Sequence, residues 1–324
     1  MSATKTIKWG ILGLGKIAHK FASDLKTVSG CELHAVASRN QEKADEFAQI
    51  FQATIAYDSY EKLAKDPEID AIYIATPHSL HKELSILCLQ HKKAVLCEKA
   101  FAMNYNEVSE MIQVAKENDT LLMEALWTRF LPHYQFVIDV VNSEKYGKIQ
   151  KLEADFGFYA PYDLLNRVFR KELGGGSLLD IGIYPIFAAL STLGIPEKIE
   201  AKATFFENGV DSSCSMVFRY ANAKAYLKST LLENTPITAK FHFETAVLII
   251  NRPFHGPSNV TILQNYVEET IDFDYTMHGY NYEIEHFNQL LNSNKKESNL
   301  MTFEFSKTLM KTLDTVRNCI GLKY

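Results

Sequence analysis

The sequence contains few cysteines, and their positions follow no ligand or disulfide pattern. Five cysteines are scattered over 324 residues, without a C-x-x-C pair. This odd number is typical of reduced thiols in a cytosolic protein and gives no zinc signature. A chain of this length buries enough apolar surface to fold without disulfides or metal. We therefore expect a cytoplasmic protein without a metal site.

The sequence also lacks an excess of positive charge and a long uninterrupted apolar run. Lys and Arg number 34 against 39 Asp and Glu, whereas a broad nucleic-acid-binding surface needs a basic excess. The stretch Met1–Lys8 is polar and has no signal-peptide core. The longest apolar stretch, Leu178–Ile195, contains Asp180 and Pro185 and barely reaches membrane-spanning length. We expect a buried element there, with no membrane and no nucleic-acid partner.

Strand and helix patterns alternate in the first third of the chain. The predicted strands cover residues 7–12, 32–38, 71–75, 94–97 and 121–124, and the predicted helices cover 17–26, 41–51, 80–91 and 106–118. Strands that alternate with helices of 10–15 residues predict βαβ units and a parallel sheet.

Strands with period-two alternation dominate the chain after Ala125. They are predicted over residues 151–158, 199–207, 211–220, 224–232, 240–250, 260–264 and 268–273, with helices over 129–143, 280–292 and 305–320. Consecutive strands with short connections indicate an antiparallel sheet. The sequence thus predicts an α/β protein, with a Rossmann domain over residues 1–124 and a second α/β domain over residues 125–324.

A glycine pattern joins the first predicted strand to the first helix. Gly13, Gly15 and Ala18 form G-x-G-x-x-A, and Lys16 and Ile17 lie between them. The first glycine permits a tight turn, the second lets the backbone approach a pyrophosphate, and the small third residue lets the helix pack on the sheet. The free N–H groups of the helix then face the anion. The alternative is a strand–helix turn in a fold that has lost its cofactor.

The end of the second predicted strand bears on the choice between NAD(H) and NADP(H). NAD-specific sites place an acidic residue here, whereas this chain has Ser38-Arg39-Asn40. Ser38 can hydrogen-bond a 2′-phosphate, and Arg39 can pair with it or stack on the adenine. We expect NADP(H) to be preferred, with NAD(H) possible. The alternative for Arg39 is a solvated loop residue.

Polar residues follow two further strands of the parallel pattern. Thr76, Pro77, His78 and His81 follow one strand, at the edge where ligands bind in such sheets. The two histidines have no evident third ligand, so we expect His81 to cap or pack under the cofactor. Glu98-Lys99 follows the next strand. Lys99 can donate to a substrate hydroxyl or lower the pKa of a nearby acid, although most lysines are simply exposed.

A glycine run precedes a second pair of candidate residues. Gly174–Gly176 lets the backbone pass close to a ligand, and Asp180 and Tyr184 follow at i,i+4 spacing. Pro185 suits the first turn of a helix and Gly194 its end. Taken singly, Tyr184 is also explained as a core aromatic residue and Asp180 as a helix cap.

Together these motifs resemble the glucose–fructose oxidoreductase / inositol dehydrogenase (Gfo/Idh/MocA) family. The resemblance covers essentially the whole chain, and the run Glu124–Pro132 is similar to the branch with dimeric dihydrodiol dehydrogenase and NADP-dependent D-xylose dehydrogenase. It implies hydride transfer between nicotinamide C4 and a sugar, polyol or diol carbon, and a dimer formed through the open sheet. The implied catalytic residues are Lys99, Asp180 and Tyr184; the implied cofactor-binding residues are Gly13, Gly15, Lys16, Ile17, Ala18, Ser38, Arg39, Thr76, Pro77, His81, Glu98, Lys99, Trp127 and Arg129.

Two departures from the family pattern affect the expected chemistry. Ala100 replaces the proline of the E-K-P motif, which removes the fixed φ and any easy cis bond. Tyr184 stands where many members carry histidine, which is typical of the dihydrodiol and glucose–fructose branches. Because a tyrosine has an ordinary pKa near 10, we expect the Lys99 charge to favour the phenolate, while Asp180 orients the substrate hydroxyl.

Two alternatives to a sugar or dihydrodiol dehydrogenase remain open. One is a cofactor-binding sensor without turnover, and the intact set of Lys99, Asp180 and Tyr184 favours the enzyme over it. The other is a keto-sugar reductase. The stretch Phe156–Phe169, with Arg167 and Arg170, is predicted either to line the substrate pocket or to be ordinary core and loop.

Overall fold

The N-terminal sheet is parallel and has six strands. The computed structural model describes residues 6–324. The strands are β1 (Ile7–Leu12), β2 (Cys31–Ala37), β3 (Ile55–Tyr57), β4 (Ala71–Ile74), β5 (Ala94–Glu98) and β6 (Leu122–Ala125), in the order β3-β2-β1-β4-β5-β6. This is the Rossmann order, with the switch point between β1 and β4. The predicted parallel sheet is confirmed, and the three-residue edge strand β3 is an addition to it.

Five helices connect these strands. They are α1 (Lys16–Leu25), α2 (Gln41–Phe51), α3 (Tyr60–Lys65), α4 (His81–Gln90) and α5 (Tyr105–Glu117). Asn40 and Asn104 begin α2 and α5 by accepting the backbone N–H three residues on, as N-cap residues do. The apolar faces of α1 and α2 bury Phe21 and Phe47 against the sheet, which fixes the loop before each helix at the sheet's edge.

The second sheet is mixed and has eight strands, in the order β14-β13-β12-β11-β7-β10-β9-β8. Its strands are β7 (Ile149–Gly157), β8 (Lys198–Phe205), β9 (Asp211–Arg219), β10 (Lys224–Thr230), β11 (Ala239–Phe243), β12 (Val247–Ile250), β13 (Val260–Gln264) and β14 (Val267–Ile271). Only β7 and β10 pair in parallel, so the predicted mainly antiparallel sheet is confirmed. The run predicted as one strand over 240–250 is a hairpin, because Phe243 turns back to pair with Ala246.

Two helices accompany this sheet, α6 (Pro132–Asn142) and α7 (Ile183–Leu193). The segment Lys171–Leu193 is long and apolar enough to cross a membrane by length and composition, and most of it is buried inside the protein. It is the apolar stretch that the sequence predicts to be buried. Phe187 and Ala188 have no exposed surface, and α7 packs on β7 and β10.

The chain forms two compact units. The first comprises residues up to Phe130 together with Thr276–Lys307, and the second comprises Leu131–Tyr275 and Thr308–Tyr324. Chain order alone places residues 276–307 in the C-terminal domain, but α8 (Tyr280–Asn292) contacts the Rossmann sheet. The Trp9 indole N–H donates to Asn288 at 3.1 Å, and Asp24 accepts the Tyr280 backbone N–H at 2.8 Å. Helix α9 (Phe303–Ile320) contributes residues to both units.

Candidate functional site

The loop between β1 and α1 has the shape of a phosphate-binding turn. Gly13 has φ +86°, and a Cβ there would lie 2.8 Å from the Ala75 carbonyl oxygen, so only glycine fits. Gly15 is the N-cap of α1 without a side-chain cap, and its Cβ position has no neighbour within 4 Å. The first N–H groups of α1, from the exposed residues Lys16 and Ile17, thus meet open space, while Ala18 is buried on the sheet. An anion fits this position.

Thr76 adds a second feature of a cofactor site. Its methyl group lies beside Gly13, and its Oγ1 is buried without a hydrogen-bond partner in the described part of the chain. A buried hydroxyl without a partner loses its solvation, so a polar ligand group at this edge would satisfy it. The glycine turn and this hydroxyl both fit a dinucleotide phosphate. Pro77 follows Thr76 in extended conformation before a short 3₁₀ turn.

The loop after β2 presents Ser38, Arg39 and Asn40 without an acidic residue among them. Ser38 Oγ accepts the Asn40 backbone N–H at 3.2 Å, which leaves its hydroxyl hydrogen for another acceptor. Arg39 is exposed and hydrogen-bonds the Tyr60 hydroxyl. Burial raises the pKa of Tyr60, and the Arg39 charge partly opposes this effect. The loop therefore carries a cation and no carboxylate where a ribose 2′ substituent would lie.

His81 bridges two of these loops. Its imidazole is fully buried, with Nε2 at 2.8 Å from the Thr76 carbonyl oxygen and Nδ1 at 2.9 Å from the Ala100 carbonyl oxygen. The residue thus ties the loop after β4 to the loop after β5. His78 lies beside it, with ring centroids 5.6 Å apart. Among residues 6–324, no group of three or more His, Cys, Asp or Glu side chains could hold a metal ion.

The backbone at Ala100 differs from the sequence-based expectation. The Lys99–Ala100 peptide bond is cis, so the expectation that losing the proline removes this geometry is wrong. Ala100 has no exposed surface, and its carbonyl oxygen lies 2.9 Å from His81 Nδ1.

The residue before Lys99, Glu98, is a buried acidic residue, and a second buried acidic residue, Glu283, lies near it. Glu98 accepts the Tyr73 hydroxyl on one oxygen and the Lys99 backbone N–H on the other, at 3.2 Å. Glu283, on α8, is fully buried. Burial, followed by the charges of Glu98 and Asp24, holds the pKa of Glu283 well above its usual range. Glu98 therefore places a buried carboxyl group next to the Lys99 backbone, and burial disfavours the charged form of Glu283.

Asp180 and Tyr184 lie in a helix that changes its geometry between them. Residues Leu178–Gly182 form a π-helical turn, and α7 begins at Ile183. Pro185 has no N–H to continue an α-helical ladder toward Ile181, and a π turn is wider than an α turn. The i,i+4 spacing would put this pair on one face only in a continuous α-helical turn, and the π turn interrupts that geometry. The predicted positions of Pro185 in the first turn and Gly194 at the C-cap are confirmed.

Two further residues are functional candidates. The sequence motifs named Arg167 only within the stretch that either lines the substrate pocket or forms ordinary core and loop, and they did not identify Asp211. Arg167 donates to Asp180 Oδ1 at 2.8 Å. Asp211, at the start of β9, accepts Ser177 Oγ at 2.8 Å and the Leu178 backbone N–H at 2.7 Å. Burial raises the pKa of Asp211 to about 7. Asp211 thus caps the helical segment that carries Asp180 and Tyr184. Its partners lie far away in the sequence, so no local motif identifies it.

Aromatic rings surround Tyr184, which is 5% exposed. The ring centroids of Phe156 and His255 lie 5.7 Å and 4.8 Å from that of Tyr184. No sequence motif identifies His255. It lies in the glycine- and proline-rich run Arg252–Pro257, which indicates only a loop. In the other unit, Trp127 stacks on Tyr280 at 4.6 Å.

The predicted site residues divide between the two units. The first unit carries Lys99 and all the predicted cofactor-binding residues, namely Gly13, Gly15, Lys16, Ile17, Ala18, Ser38, Arg39, Thr76, Pro77, His81, Glu98, Trp127 and Arg129. The second unit carries Asp180 and Tyr184.

Comparison with known proteins identifies the family. Residues 7–126 match the oxidoreductase family with an NAD-binding Rossmann fold, and residues 134–248 match the GFO/IDH/MocA C-terminal domain. The chain belongs to this family of oxidoreductases, and the resemblance inferred from its motifs is confirmed.

Several relatives match over nearly the full chain. The chain is 35% identical to trans-1,2-dihydrobenzene-1,2-diol dehydrogenase of Xenopus tropicalis, covering 98% of this chain and 99% of that protein. It is 33% identical to scyllo-inositol 2-dehydrogenase (NADP(+)) IolU of Bacillus subtilis, covering 98% of each. The 3-ketoreductase KijD10 of Actinomadura kijaniata, solved with NADP and TDP-benzene, is 26% identical over 98% of each chain, with a TM-score of 0.88.

The raised pKa of Asp211 predicts a pH-dependent stability. The folded protein binds this proton more tightly than the unfolded chain, whose Asp pKa is near 3.8, so the contribution to stability falls as the pH rises from about 4 to about 7. In Asp211→Asn the site stays neutral. Between pH 5 and pH 8 the wild type should lose about 2–3 kcal/mol of unfolding free energy that the variant keeps. Urea unfolding of both proteins at both pH values measures this difference. A stability difference that is equal at both pH values would contradict the assignment.

Proposed function

We propose that the protein is an NADP(H)-dependent dehydrogenase that transfers hydride between nicotinamide and a CH–OH carbon of a sugar, polyol or trans-dihydrodiol in the cytoplasm. The observation that carries the proposal is the combination of a phosphate-binding glycine turn with a buried tyrosine on the helical segment that also carries Asp180, in a member of this family. The names of the dihydrodiol and inositol dehydrogenases support the substrate class.

In this proposal the chain's own residues handle the proton. A nicotinamide cofactor held at the glycine turn would supply the hydride donor or acceptor at C4. Tyr184 takes the hydroxyl proton of the alcohol, or returns it in the reverse direction, as the general acid/base. Lys99 donates to the substrate hydroxyl, and its charge favours the phenolate form of the tyrosine. Asp180, whose Oδ1 is held by Arg167 at 2.8 Å, orients the hydroxyl for proton transfer.

Reduction of a keto-sugar is the second candidate activity. The same groups run the reaction in reverse, since a general acid/base returns the proton that it removes. The similarity to a 3-ketoreductase solved with NADP favours this direction as an alternative. A sensor without turnover is the third reading, and the presence of Lys99, Asp180 and Tyr184 argues against it.

The cofactor preference follows from the loop after β2. Arg39 and the free hydroxyl hydrogen of Ser38 suit a 2′-phosphate, and no carboxylate at residues 38–40 would repel it. The names of two relatives, one NADP(+)-dependent and one solved with NADP, support NADP(H) over NAD(H).

The open face of the second sheet is the proposed contact with a second copy of the chain. Tyr226, Lys228, Lys202 and Lys240 line a groove of about 680 Å³ on this face, and Tyr226 is 44% exposed. The strand residues that line this groove come from β7 to β11, and an open groove with apolar and charged side chains suits self-association. Light scattering should give twice the 36.8 kDa of one chain, and a monomer mass would contradict the proposal.

Tyr184→Phe removes the proposed acid/base while keeping the ring. We expect turnover to fall by about 10²–10⁴-fold, because a general acid/base contributes on that scale, with NADPH binding unchanged. The control is Tyr220→Phe in the same unit, whose buried hydroxyl has no hydrogen-bond partner within residues 6–324 and should be dispensable. Absorbance at 340 nm measures turnover on dihydrodiols, aldoses and inositols. Near-normal turnover in Tyr184→Phe would exclude the assigned role.

Arg39→Glu tests the 2′-phosphate contact. Loss of a charge-assisted hydrogen bond and gain of a repulsive charge should weaken NADPH relative to NADH by about ten- to hundredfold. Fluorescence titration with both nucleotides measures the ratio of their dissociation constants. Lys20→Glu makes the same charge change on the exposed side of α1 and should leave the ratio unchanged. If both variants shift the ratio equally, Arg39 makes no specific contact.

A further inference from the structure

His255 stands at the centre of a stack of three rings in the second unit. Its imidazole lies 4.1 Å from the Phe156 ring at an interplanar angle of 21°, and 4.8 Å from the Tyr184 ring at 43°. Phe156 and Tyr184 are themselves 5.7 Å apart. All three residues belong to one unit, so the stack is a property of that unit alone. A tyrosine packed against two rings has little freedom to tilt.

The two residues that flank His255 in its loop both form backbone hydrogen bonds. The Phe254 backbone N–H donates to the Ile237 carbonyl at 3.1 Å, and the Gly256 N–H donates to the Pro253 carbonyl at 3.0 Å. The Phe254 side chain is fully buried. His255 is thus anchored through its neighbours in the chain and presents its ring from a fixed backbone.

A buried histidine completes this anchor. Burial lowers the pKa of His133 to about 4, so the ring is neutral and carries one N–H. Its Nε2 lies 3.1 Å from the Phe254 carbonyl oxygen and donates to it, while Nδ1 lies 2.5 Å from the Tyr275 hydroxyl, which donates to that nitrogen. One tautomer satisfies both bonds. The support therefore runs from Tyr275 through His133 to the peptide next to His255.

We infer that His255 is a positioning residue that fixes the ring plane of Tyr184, acting through ring stacking and supported by His133. This inference rests on the proposed acid/base role of Tyr184 and goes beyond it. A proton-transferring hydroxyl must lie within hydrogen-bond reach of its substrate oxygen, and a shift of about 1 Å costs up to a hundredfold in rate. Aromatic pairs at these distances favour offset or tilted arrangements, which is the geometry that His255 makes with both neighbours.

The test compares two substitutions of His255. His255→Ala removes the stack, and we expect turnover to fall by about ten- to hundredfold with the KM for NADPH unchanged. His255→Phe keeps a flat ring, and we expect it to retain turnover within about threefold of the wild type. Tyr146→Ala is the matched control, because Tyr146 is a buried aromatic residue of the same unit whose ring contacts Phe243, outside this group of rings.

A double-mutant cycle separates positioning from general damage. If His255 acts through Tyr184, His255→Ala should reduce the residual turnover of Tyr184→Phe by less than about twofold, whereas independent effects would multiply. Equal losses in His255→Phe and His255→Ala would overturn the inference, as would normal turnover in both or multiplying effects in the cycle. Tyr184→Phe alone distinguishes the two levels. If it is fully active, the acid/base role of Tyr184 fails and the inference fails with it, while the dehydrogenase activity stands; if it is impaired and the His255 variants are unaffected, the inference fails alone.

Discussion

The second unit depends on how one buried carboxyl is paired. Asp211 is fully buried, and its Oδ2 accepts from Ser177 Oγ and from the Leu178 backbone N–H, whereas its Oδ1 has no hydrogen-bond partner among residues 6–324. The two bonds begin the helical segment that carries Asp180 and Tyr184. Gly176 allows this approach, because a Cβ there would lie 2.0 Å from Asp211 Oδ1. The glycine run is therefore needed for a close contact with a carboxyl as much as for any contact with a ligand.

In the first unit, the turn between β1 and α1 leaves backbone N–H groups available to an anion. Gly13 turns the chain, Gly15 begins α1 without a side-chain cap, and Thr76 keeps a buried hydroxyl for a ligand. His81 then lies between the loops after β4 and β5, with one ring nitrogen within 2.9 Å of a carbonyl oxygen on each side. Rigid loops at the carboxyl edge of a parallel sheet hold a dinucleotide in a defined orientation, and they place Lys99 at the same edge.

Local features of this protein could be predicted from sequence, and features that depend on distant contacts could not. Residues near Gly13 encode the glycine turn, and Pro185 and Gly194 encode the ends of α7. The alternation of strand and helix patterns indicates the parallel sheet. The grouping of α8 with the Rossmann sheet depends on contacts such as Trp9 with Asn288, which are 279 positions apart. Periodicity carries no information on such pairs.

Two local inferences were limited in the same way. The absence of proline at Ala100 disfavours a cis bond by covalent preference, and the Lys99–Ala100 bond is cis in the structure. The spacing of Asp180 and Tyr184 gives one face only if the turn between them is continuous, whereas the segment before Pro185 is π-helical. His255 was missed because its importance lies in rings from β7 and α7, and not in any motif.

Stereospecific label transfer tests most directly whether this protein transfers hydride to NADP⁺. The purified protein is incubated with NADP⁺ and a dihydrodiol, aldose or inositol deuterated at the reacting carbon, and the nicotinamide is analysed by NMR. We expect deuterium on a single face of C4 in NADPH, with lower incorporation when NAD⁺ replaces NADP⁺. Tight NADP⁺ binding without label transfer from any of these compounds would contradict this expectation and favour a cofactor-binding sensor.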